Sequence, residues 1–378
     1  MSDTGKKGVN GMRVVLTGGG TGGHIYPALA VAREISRQMP QAAFLYIGSK
    51  KGLEAKLVPR EGIPFQSVEI SGLKRKLTLE NVKTLWNFWR AVQNSKQMLR
   101  EFKPDVVIGT GGYVCGPVVY AAAKLGIPTM IHEQNVVPGL TNKFLARSVS
   151  RVAVCFEESL SLFPASKTVL TGNPRATEVK HGNKQAGRDF LGIDADKRIV
   201  LIIGGSRGAR AINEAVLSVI PQLGALEHTH VVYVTGEVHY QVIADELRKK
   251  TPLPENITVL PFVHNMPDLL AATHVLVGRA GASTLAEITA LGVPAILIPS
   301  PYVTNNHQEK NARGLERAHA ARVIVERDLT GERLLSVLSE LLHDPNEWEE
   351  MRKGSLSLGM PDAAAEIVRQ LKEIASKK

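Results

Sequence analysis

The sequence predicts a two-domain α/β protein with a parallel sheet in each domain, and three observations predict it. The chain has 378 residues, more than one core of roughly 100 to 200 residues holds. Short β-branched runs alternate with longer helical patterns along its whole length, which is how βαβ units read. The same opening also occurs twice: Val14-Val15-Leu16-Thr17 runs into the glycines of Gly18 to Gly23, and Val200-Leu201-Ile202-Ile203 runs into Gly204-Gly205-Ser206-Arg207-Gly208. Each apolar strand delivers a glycine-rich turn to a helix start, where unpaired N–H groups and the helix dipole favour an anion. Two Rossmann-like domains facing a central cleft follow from that repetition.

In chain order, strands are expected at Arg13 to Thr17, Ala43 to Ile47, Phe65 to Ile70, Asp105 to Gly109, Pro128 to His132, Arg151 to Val154 and Thr168 to Leu170. After Gly172-Asn173-Pro174, the polar stretch from Glu178 to Arg188 reads as a linker. Strands resume at Arg198 to Ile203, His230 to Val234, Ile257 to Leu260, His274 to Val277, Pro294 to Ile298 and Arg322 to Val325, and helical patterns close the chain. The expected divisions are a polar tail (1–11), a first domain (12–175), a second domain (176–360) and a C-terminal helix (361–378) able to pack back on the first domain.

Composition narrows the function classes. The chain is 44% hydrophobic and 22% charged, the balance of a globular protein. A formal charge of +10 suits an anionic partner, either anionic lipid or a phosphorylated ligand. Nucleic acid is not expected, because no zinc-finger spacing, ribonucleoprotein aromatic motif or basic-region helix is present. Cys115 and Cys155 are the only cysteines, too few for a disulfide framework or a thiolate metal site, so a reducing cytosol is expected. Neither an apolar leader pattern nor a run of about 18 apolar residues occurs, so the chain is expected neither to cross a membrane nor to be exported.

Several clusters could carry chemistry. Gly18, Gly20 and Gly23 have dinucleotide-fingerprint spacing. Gly48-Ser49-Lys50-Lys51 puts no acid where an NAD ribose needs one, which leaves an NADP reductase using Lys50 or Lys51 as the alternative enzyme class. His24 ends this loop at a helix N-terminus, where the dipole disfavours imidazolium; it either caps the helix or serves as a general base. Tyr113 and the run His132-Glu133-Gln134-Asn135 follow strands, on the sheet edge where α/β proteins bind ligands. In the second half, Ser206 sits within the glycine turn. Ala282, Ser283 and Thr284 open another small-residue helix start, which lets a ligand approach the backbone, and Glu287 lies on that helix. Asn305 to Asn311 offers amides, His307 and Gln308, donors and acceptors suited to a polyhydroxyl ligand better than to a metal. No cofactor or obligatory metal is expected. Between Ser71 and Lys103, Lys74-Arg75-Lys76 precedes Leu85, Trp86, Phe88 and Trp89. This stretch either seats on an anionic bilayer or packs into the core.

Taken together, Gly18-Gly19-Gly20-Thr21-Gly22-Gly23-His24, Gly111-Gly112-Tyr113, His132-Glu133-Gln134-Asn135, Gly204-Gly205-Ser206 and Asn306-His307-Gln308 resemble the MurG family of bacterial glycosyltransferases. The resemblance implies the GT-B fold and an inverting transfer of N-acetylglucosamine from UDP-N-acetylglucosamine to the 4-hydroxyl of a muramoyl-pentapeptide on undecaprenyl pyrophosphate, the lipid I to lipid II step of peptidoglycan synthesis. It implies a peripheral place on the cytoplasmic face of the membrane. By the same likeness, Ser206 meets the donor pyrophosphate, Glu287 the ribose, Gln308 with His307 the sugar, the Val263 backbone the uracil, and Ala282 to Thr284 the phosphates. Thr21, Gly22, Gly23 and Asn135 close on the donor sugar, while the glycine loop and Tyr113 face the acceptor. His24 is the expected base and Glu133 the second choice. Where the family reads Gly-Asn-Pro-x-Arg, this chain has Arg175 directly after Pro174 and Ala176 in the usual place of the Arg, so no nucleotide contact is assigned to Arg175. A non-catalytic nucleotide-sugar sensor would keep the donor site without needing a base at position 24.

Overall fold

The computed structural model describes residues 11–70, 79–250 and 252–377. The chain divides into two compact units, Met1–Pro174 with Ala363–Lys378, and Arg175–Asp362. The basic cluster at 74–76 lies outside the described residues, as does most of the expected tail.

In the first unit, strands β1 (Arg13–Thr17), β2 (Ala43–Ser49), β3 (Phe65–Val68), β4 (Val106–Gly109), β5 (Thr129–Glu133), β6 (Arg151–Val154) and β7 (Thr168–Leu170) form one sheet in the order β3-β2-β1-β4-β5-β6-β7. Its strand pairs are parallel. Val14, Val15, Leu16, Val106, Val107 and Ile108 are all fully buried, because helices cover both faces of a parallel sheet and continuous apolar runs are what such strands need. The helix Ala363–Ser376 belongs to this unit: Ile367, Val368, Leu371 and Ile374 join a core with Val14, Ile25, Leu29 and Ile108, and Arg151 Nη2 donates to Glu373 at 3.0 Å.

The second unit carries β8 (Arg198–Ile203), β9 (Thr229–Val234), β10 (Ile257–Leu260), β11 (Thr273–Gly278), β12 (Ala295–Leu297) and β13 (Ala321–Val323) in the order β10-β9-β8-β11-β12-β13. These strands are parallel as well. Every strand expected from the sequence forms, with ends moved by no more than two residues.

The expected linker is corrected. The stretch 178–188 is folded into the second unit, partly as the short helix Lys184–Asp189, which Asn183 caps by accepting from Gln185 N and Ala186 N. Arg188 is buried and donates to the carbonyls of Asp194 and Lys197 at 2.6 and 2.8 Å. Gly187 lies so close to the Asp268 backbone that a Cβ would come within 2.2 Å of its carbonyl oxygen. Polar residues here are anchors, and the compact units change over between Pro174 and Arg175.

The half-buried histidine His274 contributes a pH dependence to the second unit. The His274 ring stacks on Trp348 with centroids 4.4 Å apart and planes 7° apart, and Trp348 Nε1 donates to the His274 carbonyl at 3.0 Å. Burial, aided by the nearby cations Arg198 and Lys184, pushes its pKa from 6.5 down to about 4. The unfolded chain therefore binds a proton that the folded unit refuses, so this contribution to stability is complete above pH 6.5 and is lost as the pH falls toward 4. Discounted for partial solvent access, the expected loss is about 2 kcal/mol. Thermal melts between pH 7 and pH 4 check it, and His274→Gln is expected to flatten the slope.

Candidate active site

Both sheets reverse their winding direction once. In the first unit this happens between β1 and β4, and in the second between β8 and β11. Loops at the carboxyl edge diverge at such a point, leaving a crevice where ligands bind. The sequence places a glycine-rich loop on each side of both crevices.

Around the first crevice, the 18–23 loop leaves β1 and the 110–114 loop leaves β4. Gly19 N donates to Gly111 O at 3.3 Å. Gly20, Gly111 and Gly112 have φ of 85°, 111° and 83°, values that L side chains rarely adopt. A Cβ on Gly111 would stand 2.7 Å from His24 Cδ2, and one on Gly112 would stand 2.4 Å from Gly19 O. The glycines are thus the space in which the His24 ring lies. Tyr113 is exposed over Gly20, whose Cβ would meet its ring at 3.7 Å. Thr21 caps the helix Gly22–Gln38 by backbone alone, with Gly22 and Gly23 as its first residues.

His24 Nδ1 lies 3.0 Å from the Gly19 carbonyl and 3.4 Å from Thr21 Oγ1. A carbonyl can only accept, so Nδ1 carries a proton, and in the neutral imidazole Nε2 then holds the lone pair. His24 is therefore held as the tautomer whose Nε2 takes up a proton.

On β5, the sequence candidates separate. His132 is buried, its Nε2–H donates to Gly172 O at 2.9 Å, and burial lowers its pKa. Glu133 is also buried: Oε1 accepts from Asn135 N at 3.0 Å, while Oε2 accepts from Gly139 N and Asn142 Nδ2, both at 2.9 Å. Both oxygens of Glu133 hold the loop that carries Asn135.

Sequence reasoning missed Glu54, which is fully buried beneath the first glycine loop. Its Oε2 accepts from Gly20 N at 3.1 Å, and its Oε1 accepts from Ser49 N at 3.0 Å and Ser49 Oγ at 2.6 Å. Gly19, Gly48 and Gly52 close over this carboxylate, each lacking room for a Cβ beside it. Tyr46, equally buried, donates to Gly18 O at 2.7 Å. The glycines flanking position 54 were the available signal. A carboxylate occupying the Gly20 amide repels a phosphate there, which argues against the NADP alternative.

Around the second crevice, Gly205 and Gly208 turn with φ of 89° and 75°, and Ser206 is exposed between them. The helix Ala282–Leu291 starts beside open space: a Cβ on its cap, Gly281, would meet nothing within 4 Å, and Ser283 and Thr284 lie in its first turn. Glu287, on the same helix, is buried and receives Arg175 Nε at 2.8 Å and Nη2 at 2.5 Å, both on Oε1. Arg175 also pairs with Glu178. Burial raises the Glu287 pKa, and Arg175 partly offsets it. Arg175, left without a role by its shifted position, is thus brought to this site as the partner of Glu287. Val263 follows β10 and is buried. After β12, Asn305 and Asn306 both adopt left-handed φ, 56° and 49°, which asparagine tolerates better than most residues. They lead into His307, whose Nδ1–H donates to Thr304 O at 2.8 Å, and Gln308, whose Oε1 accepts from Ser300 N at 2.9 Å. Among the described residues, no three His, Cys, Asp or Glu side chains cluster in a way that could hold a metal ion.

Comparison with known proteins identifies the family. Residues 14–154 match the glycosyltransferase family 28 N-terminal domain and residues 199–367 its C-terminal domain. The chain is 55% identical over 366 residues, 97% of its length and all of the relative's, to UDP-N-acetylglucosamine--N-acetylmuramyl-(pentapeptide) pyrophosphoryl-undecaprenol N-acetylglucosamine transferase 1 of Bacillus cereus. It is 56% identical to the transferase of that name from Halalkalibacterium halodurans, over 96% of this chain and all of the relative. Among solved structures, MurG of Acinetobacter baumannii superposes with a TM-score of 0.77 at 30% identity, covering 96% of this chain and 99% of that one. With both family domains in order and near-complete coverage, the chain belongs to glycosyltransferase family 28, has the GT-B fold, and falls within the MurG group of that family.

Proposed function

We propose that this protein is the inverting transferase that moves N-acetylglucosamine from UDP-N-acetylglucosamine to the 4-hydroxyl of the lipid-linked N-acetylmuramoyl-pentapeptide, converting lipid I to lipid II in peptidoglycan synthesis. The observation that carries the reading is the match, over nearly the whole chain, to relatives named for this transfer. The switch-point loops supply groups of the kind the chemistry needs. Nε2 of His24 takes the proton of the attacking hydroxyl, the hydroxyl oxygen bonds to the anomeric carbon from the face opposite UDP, and the bond to the diphosphate breaks. Charge developing on UDP is met by the amides at Ala282, Ser283 and Thr284, the Ser206 hydroxyl and the helix dipole.

The donor roles follow the same logic. Glu287, steadied by Arg175, takes ribose hydroxyls. The backbone at Val263 reads uracil, while Gln308 and His307 meet the sugar. Thr21, Gly22, Gly23 and Asn135 line the transferring sugar, and Tyr113 faces the acceptor. Calorimetric titration with UDP, UDP-N-acetylglucosamine and NADPH tests the assignment: both uridine ligands are expected to bind one per chain and NADPH not at all. Ser206→Ala is expected to weaken UDP binding by about tenfold, the worth of one hydrogen bond to a charged group.

The acceptor's lipid requires a membrane-facing surface. Trp86 and Leu140 are 69% and 75% exposed, and Trp89 and Phe144 about half. Trp89 and Phe144 belong to a cluster with Phe88 and Tyr120 at centroid distances of 5.5 to 6.3 Å, and Trp86 and Leu140 lie on the same helices as Trp89 and Phe144 respectively. Lys124 sits over Tyr120, and Lys143 and Arg147 are exposed on the neighbouring segment. Apolar residues rimmed by cations suit an anionic leaflet, so this face is assigned to peripheral binding at the cytoplasmic membrane surface. Among the described residues, no helix is long and apolar enough to cross a membrane. Replacing Trp86 and Trp89 together by Ser is expected to reduce co-sedimentation with anionic liposomes severalfold; unchanged binding would remove this face from the membrane.

A further inference from the structure

We propose that Glu54 is a positioning residue for the His24 base, acting through the single peptide unit that joins Gly19 to Gly20. This rests on the reading of His24 as base. The Gly19 carbonyl and the Gly20 N–H belong to one planar trans peptide, so they point in opposite directions and turn together. Glu54 Oε2 accepts that N–H at 3.1 Å, and the carbonyl at the other end accepts His24 Nδ1–H at 3.0 Å. A peptide flanked by two glycines flips at little steric cost, and Gly20, at φ 85°, has no Cβ to resist it. The carboxylate supplies the restraint.

The anchor is itself fixed. Glu54 is fully buried, and its other oxygen takes both the amide and the hydroxyl of Ser49. Among the described residues, no side-chain cation is a hydrogen-bond partner of Glu54. A carboxylate on one end of a peptide polarises the carbonyl at the other and strengthens its hydrogen bond. Glu54 therefore does for His24, through a peptide, what a directly bonded carboxylate does for a catalytic imidazole: it selects the tautomer and aims Nε2.

The substitution Glu54→Gln keeps the shape and reverses one contact. The amide oxygen satisfies the two Ser49 donors, which leaves the NH2 group against Gly20 N–H, donor against donor. The peptide is then expected to flip and release His24. Two-bond 15N–1H correlation spectra of histidine-labelled protein, recorded without substrate, read the outcome directly. The parent is expected to show His24 as the Nδ1–H tautomer, and Glu54→Gln to show a mixture of tautomers. In the same variant kcat is expected to fall about tenfold to a hundredfold, the cost of a misplaced reacting group, with KM for UDP-N-acetylglucosamine within about twofold because the residues assigned to the uridine diphosphate lie in the other unit.

A folded Glu54→Gln protein with the parental tautomer and parental kcat overturns the proposal. Should that variant fail to fold, Ser49→Ala removes one of the bonds that aim Glu54 and is expected to give a partial tautomer mixture and about threefold lower kcat; parental values for both again overturn it. Because the spectra need no turnover, the proposal and the reading beneath it fail separately. An active His24→Ala protein sinks the base assignment, whereas an unchanged tautomer in the Glu54 variant sinks the relay alone.

Discussion

His24→Ala is expected to lower kcat by about a hundredfold to ten-thousandfold while leaving KM for UDP-N-acetylglucosamine nearly unchanged, the pattern of a lost general base. The case rests on two contacts. Gly19 O fixes the proton on Nδ1, and the space at Gly111 admits the ring. Steady-state kinetics with a lipid-linked muramoyl acceptor measures the effect. Glu133→Gln is the control: it disturbs the loop that Glu133 holds, so both kcat and stability should decline. An active His24→Ala enzyme beside a dead but folded Glu133→Gln enzyme would reverse the assignment.

Arg175→Met is expected to destabilise the second unit by about 3 kcal/mol, because removing one member of a buried ion pair strands the other. Arg175 and Glu287 have side-chain exposures of only 16% and 8%, and Glu178, the third member, has 16%. Without the guanidinium, two carboxylates share a poorly solvated site. Burial and the neighbouring Glu178 already raise the Glu287 pKa, and losing Arg175 raises it further. A carboxyl whose folded pKa lies above its unfolded value adds most to stability when protonated and loses that contribution as pH rises. The deficit should therefore shrink on acidification, and the double change Arg175→Met with Glu287→Gln should recover part of the loss. Thermal melts at pH 5 and pH 8 check both points, with a drop on the order of 6 to 10 °C expected at the higher pH.

These cases mark what the sequence discloses. Parallel strands buried on both faces need unbroken apolar runs such as Val200-Leu201-Ile202, so all the strands were legible. Glycine clusters were legible because a left-handed turn or a close approach tolerates little else. The contacts of side chains across the fold were not. Glu54 reads as an ordinary acid on a short helix, and only folding brings it to Gly20, 34 residues away. The partnership of Arg175 and Glu287 spans 112 residues, and the shifted motif concealed it. The stretch 178–188 looked solvated because it is polar, while its packing partners, at 267–268, lie far along the chain. Local pattern encodes elements and turns; the reach of a long polar side chain depends on tertiary placement.

The most direct test is to supply radiolabelled UDP-N-acetylglucosamine and a lipid-linked N-acetylmuramoyl-pentapeptide pyrophosphate to the purified protein, with EDTA present, and follow the label. The account predicts label in the organic-extractable lipid, joined through a β-linkage to the muramoyl 4-hydroxyl, with one UDP released per sugar transferred and no loss of rate to the chelator. Label that stays in water-soluble material, whether as free sugar or as a 2-epimer of the donor, or transfer that depends on an added divalent ion, would contradict it.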